Sequence, residues 1–329
     1  MTRQGRHPRR LPLRTAQVLP GSVYLASTLA LAAAILIVVA GGRLSHPALG
    51  AIGSAPPDLH AAAVLLPTGA QESVAGWFVR GTPGRGAILL LHGVRSDRRQ
   101  MTARARFLAK AGYAVLLIDL PAHGESAAER ITFGMHESAG VDAALAYLRH
   151  TLPGEKLGVI GVSLGAAAFV LGHAAPAPDA VVLESMYASI EGAVADRLAI
   201  RLGPPGRILS PLLLWQFPLR LGIPADKIRP LAHIGRLTSP VLIASGTLDL
   251  HTPFSETERL FSAANAPKEL WPVRGAYHVD LHAFGPAAYE ARVLAFLAKH
   301  MSPSAGRAET GTGSTPEMQK GSPAKAVTL

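Results

Sequence analysis

Six short apolar runs pace the middle of this chain: AILLLH (87–92), YAVLLID (113–119), KLGVIGV (156–162), AVVLE (180–184), PVLIAS (240–245) and KELWPV (268–273). Each has the length of a strand. They run nearly unbroken in apolar residues, the pattern of strands buried on both faces. Between them RARFLAKAG, HESAGVDAALAYLRH, SLGAAAFVLGHA and SETERLFSAANA carry helical spacing. Such alternation predicts a mostly parallel sheet covered by helices on both faces. LHAAAVLLP and SVAGWFVRG read as an opening antiparallel pair. A chain of 329 residues that is 49% hydrophobic has room for one large α/β domain with tails. It has no cysteine, so it can hold neither a disulfide framework nor a thiolate zinc site.

One segment breaks the rhythm. Residues 185–239 contain no clear strand, and ILSPLLLWQFPLRLGIP within them is apolar and interrupted by prolines. An insertion between two strands at the ligand-binding edge reads as a small helical cap, the alternative being core helices of the main body.

The net charge of +10 suggests nucleic acid until it is placed along the chain. Arg3, Arg6, Arg9, Arg10 and Arg14 account for half of it, the tail from 302 adds one, and only +4 is left between. No basic stripe is interleaved with aromatics, so nucleic acid is excluded as a partner. Behind those arginines, residues 22–40 read SVYLASTLALAAAILIVVA without a charge. As a helix they span about 28 Å, close to the thickness of a bilayer core. The run exceeds a usual signal-peptide core, and the positive-inside bias puts the N-terminus in the cytoplasm. The expected organisation is therefore a basic cytoplasmic N-terminus (1–21), a transmembrane anchor (22–41), a Pro/Gly/Ser-rich linker (42–58), a catalytic body (59–301, cap about 185–239) and a disordered tail (302–329). A cleaved signal peptide followed by secretion is the alternative, and a buried core helix a third reading.

GVIGVSLGAA (158–167) sets Ser163 between Gly161 and Gly165 directly after a strand. A sharp strand–turn–helix strains the serine backbone, and neighbours without Cβ let helix and strand approach. Ser163 stands at the carboxyl end of its strand, where open parallel sheets bind ligands. A serine hydroxyl needs a base and oxyanion donors. The chain offers them at other strand ends. Asp249 lies in GTLDLHTP and His278 in GAYHVDLH, while the N–H groups of Val94, in LLLHGVRS, and of Leu164 are the candidate donors.

In these motifs the body resembles an α/β-hydrolase. GVSLG stands as the elbow, LHGV as the oxyanion loop, DLPAHGES (119–126) as the segment after the next strand, GTLDLHTP as the acid loop and GAYH as the histidine loop. It is most similar to the serine aminopeptidase-like or monoglyceride-lipase-like branch. The resemblance covers about residues 60–300. It implies an eight-stranded sheet and acyl hydrolysis, with no cofactor and no metal. It assigns Ser163 as nucleophile, His278 as base and Asp249 as the acid that orients it. Glu184, which also ends a strand, rivals Asp249, and His251 and His282 rival His278. His92, His123 and Ser126 read as scaffolding. The expected activity is cleavage of small-molecule or lipid-like carboxylic esters by a membrane-anchored serine hydrolase, with residues 208–223 lying near the bilayer. The alternatives are an aminopeptidase-like amide hydrolase on the same triad, or a silent hydrolase fold used for binding.

Overall fold

The computed structural model describes residues 21–69 and 72–302. The five leading arginines and the tail beyond 302 lie outside the described residues. An eight-stranded sheet forms the centre, its strands numbered here in chain order: β1 (Ala62–Pro67), β2 (Ser73–Val79), β3 (Ala87–Leu91), β4 (Ala114–Ile118), β5 (Leu157–Val162), β6 (Ala180–Glu184), β7 (Val241–Gly246) and β8 (Lys268–Val273). The spatial order is β1-β2-β4-β3-β5-β6-β7-β8. β2 pairs antiparallel with both β1 and β4, and all other neighbours are parallel. The opening antiparallel pair and the mostly parallel remainder are thus as the sequence predicts.

β3 shows why its run is continuously apolar. It lies between β4 and β5, with Leu89 opposite Leu116 on one side and Val159 on the other. Successive side chains then point to opposite faces. Leu89 and Leu91 enter a core with helices Glu137–Thr151 and Leu164–Leu171, whereas Ile88 and Leu90 enter a second core with helices Thr102–Lys110 and Pro286–Met301. Every residue of β3 is fully buried.

Between β6 and β7 the described chain is helical and short-jointed. It runs through Ile190–Leu202, a 3-10 turn Pro204–Leu209, Ser210–Leu214, Phe217–Leu221 and Pro230–His233. Prolines stand in the first turn of each of the last four pieces. There a missing N–H is harmless, but the helix before it must stop.

The N-terminal helix runs from Gly21 to Ser45 and is apolar all round. It is long and apolar enough to cross a membrane, and its apolar window is unburied. Its last turns are not a free stem, however. Ile37, Ala40 and Leu44 pack on the core. Gln216 donates its side-chain amide to the Ile37 carbonyl at 3.0 Å, and Arg220 donates to the Val38 carbonyl at 2.6 Å. A Cβ on Gly41 would come within 2.6 Å of Gln216 Oε1, so a larger residue there would push the Gln216 amide off the Ile37 carbonyl.

The segment after it corrects the linker expectation. Ala48–Leu49 pairs in parallel with His123–Gly124. The Ile52 and Gly53 amides donate to Glu125 Oε1 at 2.9 and 3.2 Å. Proline and glycine richness here serves an ordered path along the DLPAHGES loop rather than a loose connection.

Candidate active site

β5, β6, β7 and β8 are adjacent and parallel, so their carboxyl ends share one edge. Ser163 follows β5, Glu184 ends β6, and Asp249 and His278 lie on the loops after β7 and β8.

Ser163 has φ 49° and ψ −105°, a left-sided backbone that a side-chain-bearing residue adopts only under constraint. The constraint is visible. Its N–H donates to the Glu184 carbonyl at 2.8 Å. A Cβ on Gly161 would meet Ala166 N at 2.7 Å, and one on Gly165 would meet Leu91 O at 2.6 Å. Both are rigid backbone contacts, so both glycines are required for steric reasons.

Asp249 and His278 are brought together: His278 Nδ1 donates to Asp249 Oδ2 at 2.7 Å. Asp249 Oδ1 accepts from the His251 and Thr252 amides at 2.8 and 2.9 Å, and the Thr252 hydroxyl donates to Oδ2 at 2.8 Å. Burial opposes its ionisation, but the His278 hydrogen bond and charge, with the Thr252 donors, outweigh it and hold the carboxyl below its ordinary range. His251 stacks on the His278 ring, centroids 5.0 Å apart, and has no bond to the acid through its own ring. Neither Ser163 Oγ nor His278 Nε2 has a hydrogen-bond partner among the described residues. The serine–histidine bond is thus not formed in this structure, a looseness common in ligand-free sites.

The other candidates separate cleanly. Glu184 is buried and engaged by Arg104, with Nε to Oε1 at 3.2 Å and Nη2 to Oε2 at 2.7 Å, and by the Tyr289 hydroxyl. Arg104 also reaches Asp280, two residues beyond His278, at 2.8 Å. This arginine pins the histidine loop to β6. Sequence reading missed it, since its partners are remote in the chain and only the helical segment RARFLAK surrounds it. His282 faces Glu290 at 3.0 Å and stacks on Phe107, away from Asp249.

His92 is fully buried and accepts from the Leu120 amide at Nε2, 2.9 Å, while Nδ1 contacts the Gly93 carbonyl at 2.7 Å. Burial, then the neighbouring His123, pushes its pKa down to about 3. It is a neutral brace for the loop. His123 and Ser126 hold the next loop, through Pro121 O at 2.9 Å and through the Ala75 amide and Asp119 carbonyl at 2.9 and 2.7 Å. In the loop braced by His92, the Gly93 amide is taken by Gln100 at 2.8 Å. The Val94 and Leu164 amides are committed to no acceptor among the described residues. A Cβ on Gly93 would lie 3.9 Å from the Ser163 Cβ, so this loop borders the serine. No three His, Asp or Glu side chains converge as a metal set among the described residues.

Residues 82–213 match the family model described as serine aminopeptidase, S33, a span that carries the elbow and stops short of Asp249 and His278. Two relatives align over 239 residues, 71% of this chain and 78% of each relative: the uncharacterized protein YqkD of Bacillus subtilis, at 25% identity, and the uncharacterized protein Rv2307c of Mycobacterium tuberculosis, at 29%. Among solved structures, the Pyrococcus furiosus esterase Pf2001 superposes with a TM-score of 0.64 at 24% identity, over 78% of this chain and 99% of that one. A Paleococcus ferrophilus monoacylglycerol lipase gives 0.53 at 24%, over 70% and 100%.

Proposed function

We propose that this chain, a member of the α/β-hydrolase fold family, is a membrane-anchored serine hydrolase that cleaves carboxylic esters. The observation that carries the reading is the 2.7 Å Asp249–His278 hydrogen bond at the same sheet edge as the strained Ser163 elbow. Ser163 Oγ attacks the ester carbonyl while His278 Nε2 takes its proton. The C–O bond to the alcohol then breaks, His278 protonates the departing oxygen, and an acyl-serine is left. Water, deprotonated by His278, releases the acid and restores the serine. Asp249 holds the imidazole tautomer and stabilises the imidazolium. The free amides of Val94 and Leu164 are the oxyanion donors, each worth about 3 kcal/mol in the transition state.

Ester rather than aminopeptide chemistry is favoured by Glu184. It is the strand-end acid nearest to the elbow in the chain, and Arg104 and Tyr289 already engage it, so it is not free to grip an α-amino group. Retention of the N-terminal helix, rather than its cleavage, is supported by its contacts with Gln216 and Arg220. With the N-terminus in the cytoplasm, the catalytic body lies across the membrane.

The test is Ser163→Ala. It should lower ester turnover by about 10⁴-fold or more with the fold retained. A fluorophosphonate probe should label the wild-type chain at Ser163. Labelling at another serine, or turnover by the variant at the original rate, overturns the reading.

A further inference from the structure

The loop that carries Val94 is fixed to the body at both ends. His92 accepts from the Leu120 amide and the Gly93 amide donates to Gln100, while Arg98 meets Asp119 through its backbone amide and through Nη1, both at 2.7 Å. The tip is a turn closed by the Ser96 amide on the Gly93 carbonyl at 3.3 Å, with Val94 and Arg95 as its central residues. Arg95 has φ 57°, a backbone that glycine adopts freely and a residue with a Cβ does not. A glycine would make this turn more easily. The arginine adds a side chain, and that side chain leaves the loop.

Arg95 Nη2 donates to the carbonyl of Arg43 and, at 3.4 Å, to that of Leu44, in the last turn of the N-terminal helix. A helix leaves its last carbonyls without partners of its own, and its C-terminal end favours a cation. The Ser45 carbonyl is also taken by the body, accepting from the Ile131 amide at 2.9 Å. The chain then follows the 119–126 loop. The Ala48 amide donates to the Ala122 carbonyl at 2.8 Å and the Gly50 amide to the Gly124 carbonyl at 2.9 Å, before Ile52 and Gly53 reach Glu125. Glu125 in turn pairs with Arg98, at the far end of the Val94 loop. Residues 43–53 therefore meet that loop twice, directly at its tip through Arg95 and through Glu125 at its base.

We propose that Arg95 is a positioning residue, which ties the loop bearing the Val94 amide to the C-terminal end of the N-terminal helix, so that the seated helix aims this oxyanion donor. The helix is then a working part of the catalytic body as well as its anchor. A chain cut near residue 45 would lose the two acceptor carbonyls and with them the tie. The catalytic effect rests on the serine hydrolase reading; the tie itself does not.

The experiment uses the full chain in detergent micelles and compares wild type with Arg95→Gly, Arg95→Lys and Gly41→Leu. Glycine suits a φ of 57° better than arginine, so Arg95→Gly keeps the turn and removes only the tie. Three quantities are read: steady-state kinetics on a short soluble ester, affinity for a trifluoromethyl ketone, and amide hydrogen exchange over residues 92–98. Ser163 Oγ adds to the ketone carbonyl as His278 takes its proton, and the oxyanion of the adduct calls on the same donors as the transition state. In Arg95→Gly, kcat and ketone affinity should each fall about tenfold or more with KM unchanged, because a donor used only in the transition state is misplaced. Exchange over 92–98 should quicken about tenfold. Arg95→Lys, which keeps a donor for the helix carbonyls, should recover most of each loss. Gly41→Leu disturbs the seat of the same helix at Gln216. It should quicken exchange over 92–98, lower kcat, and add little to Arg95→Gly. Unchanged exchange in Arg95→Gly overturns the proposal, even beside a lower kcat, since the arginine would then act by its charge alone. So do effects of Arg95→Gly and Gly41→Leu that add in full. A wild-type chain that neither hydrolyses esters nor binds the ketone refutes the hydrolase reading, and exchange still decides the tie.

Discussion

Arg104 holds both carboxylate oxygens of Glu184, at 3.2 and 2.7 Å, inside a core that water does not reach. A buried carboxylate so occupied is a structural group. Removing one partner of such a pair leaves an uncompensated charge and destabilises by about 3–5 kcal/mol. Glu184→Gln, which loses the charge but keeps the shape, should lower the melting temperature. Asp249→Asn should instead leave stability closer to wild type and lower kcat by about 10⁴ if it sets the histidine tautomer. Melting curves beside steady-state kinetics separate the two. A larger kcat loss in Glu184→Gln than in Asp249→Asn would move the acid to β6.

Gly165→Ala tests the elbow by sterics alone. The new Cβ would sit 2.6 Å from the Leu91 carbonyl oxygen, and backbone does not swing aside as a side chain does. Helix Leu164–Leu171 must back away from β3, carrying the Leu164 amide with it. Activity should fall at least about 100-fold, the loss expected for one misplaced oxyanion donor. Gly154→Ala, where no atom lies within 4 Å but φ is 83°, is the comparison for strain without a clash. It should lose stability by about 1 kcal/mol and keep its rate.

Acid should unfold the protein partly through His92. Its folded pKa of about 3 lies below the ordinary 6.5 because burial disfavours the cation. Between those values the unfolded chain binds a proton that the folded chain does not. Stability therefore falls as pH drops through that window, by up to about 1.4 kcal/mol per pH unit for this group. Proton uptake on unfolding at pH 5, measured by calorimetry in buffers of different ionisation enthalpy, should include this proton. A His92 ring resonance that titrates near pH 6.5 in the folded protein would refute the assignment.

A reporter active only outside the cytoplasm, fused after residue 301, should be active. The protein should remain in the membrane fraction at high salt, since an apolar helix is not screened off as a basic patch is. A cytoplasmic signal reverses the orientation. A mature N-terminus near residue 45 replaces the anchor by a cleaved signal peptide.

Much of this was legible in the sequence because it is local. Buried strands need unbroken apolar runs, so β3 to β8 stand at or within a residue of where the runs put them. The elbow needs glycines at fixed offsets, and they stand at those offsets. What was hidden is long-range or made of backbone. The pairing of Ala48–Leu49 with His123–Gly124 joins main chains and leaves no side-chain signature, so Pro/Gly-rich sequence looked like slack. Arg104 meets partners 80 and 176 residues away, and nothing around it announces them. The seat of the N-terminal helix rests on Gln216 and Arg220, 179 and 182 residues from the carbonyls they meet, and nothing around either residue announces it.

That seat has a consequence for where the chemistry is done. The helix passes from its unburied apolar stretch into contact with Gln216 and Arg220 without a hinge between. For a helix standing in a bilayer, the sheet then has one height and one heading above the lipid. It has no cord on which to swing. Such a catalyst samples the leaflet it stands in and nothing opposite. Its rate follows the number of substrate molecules per unit area of its own membrane rather than their concentration in the fluid above.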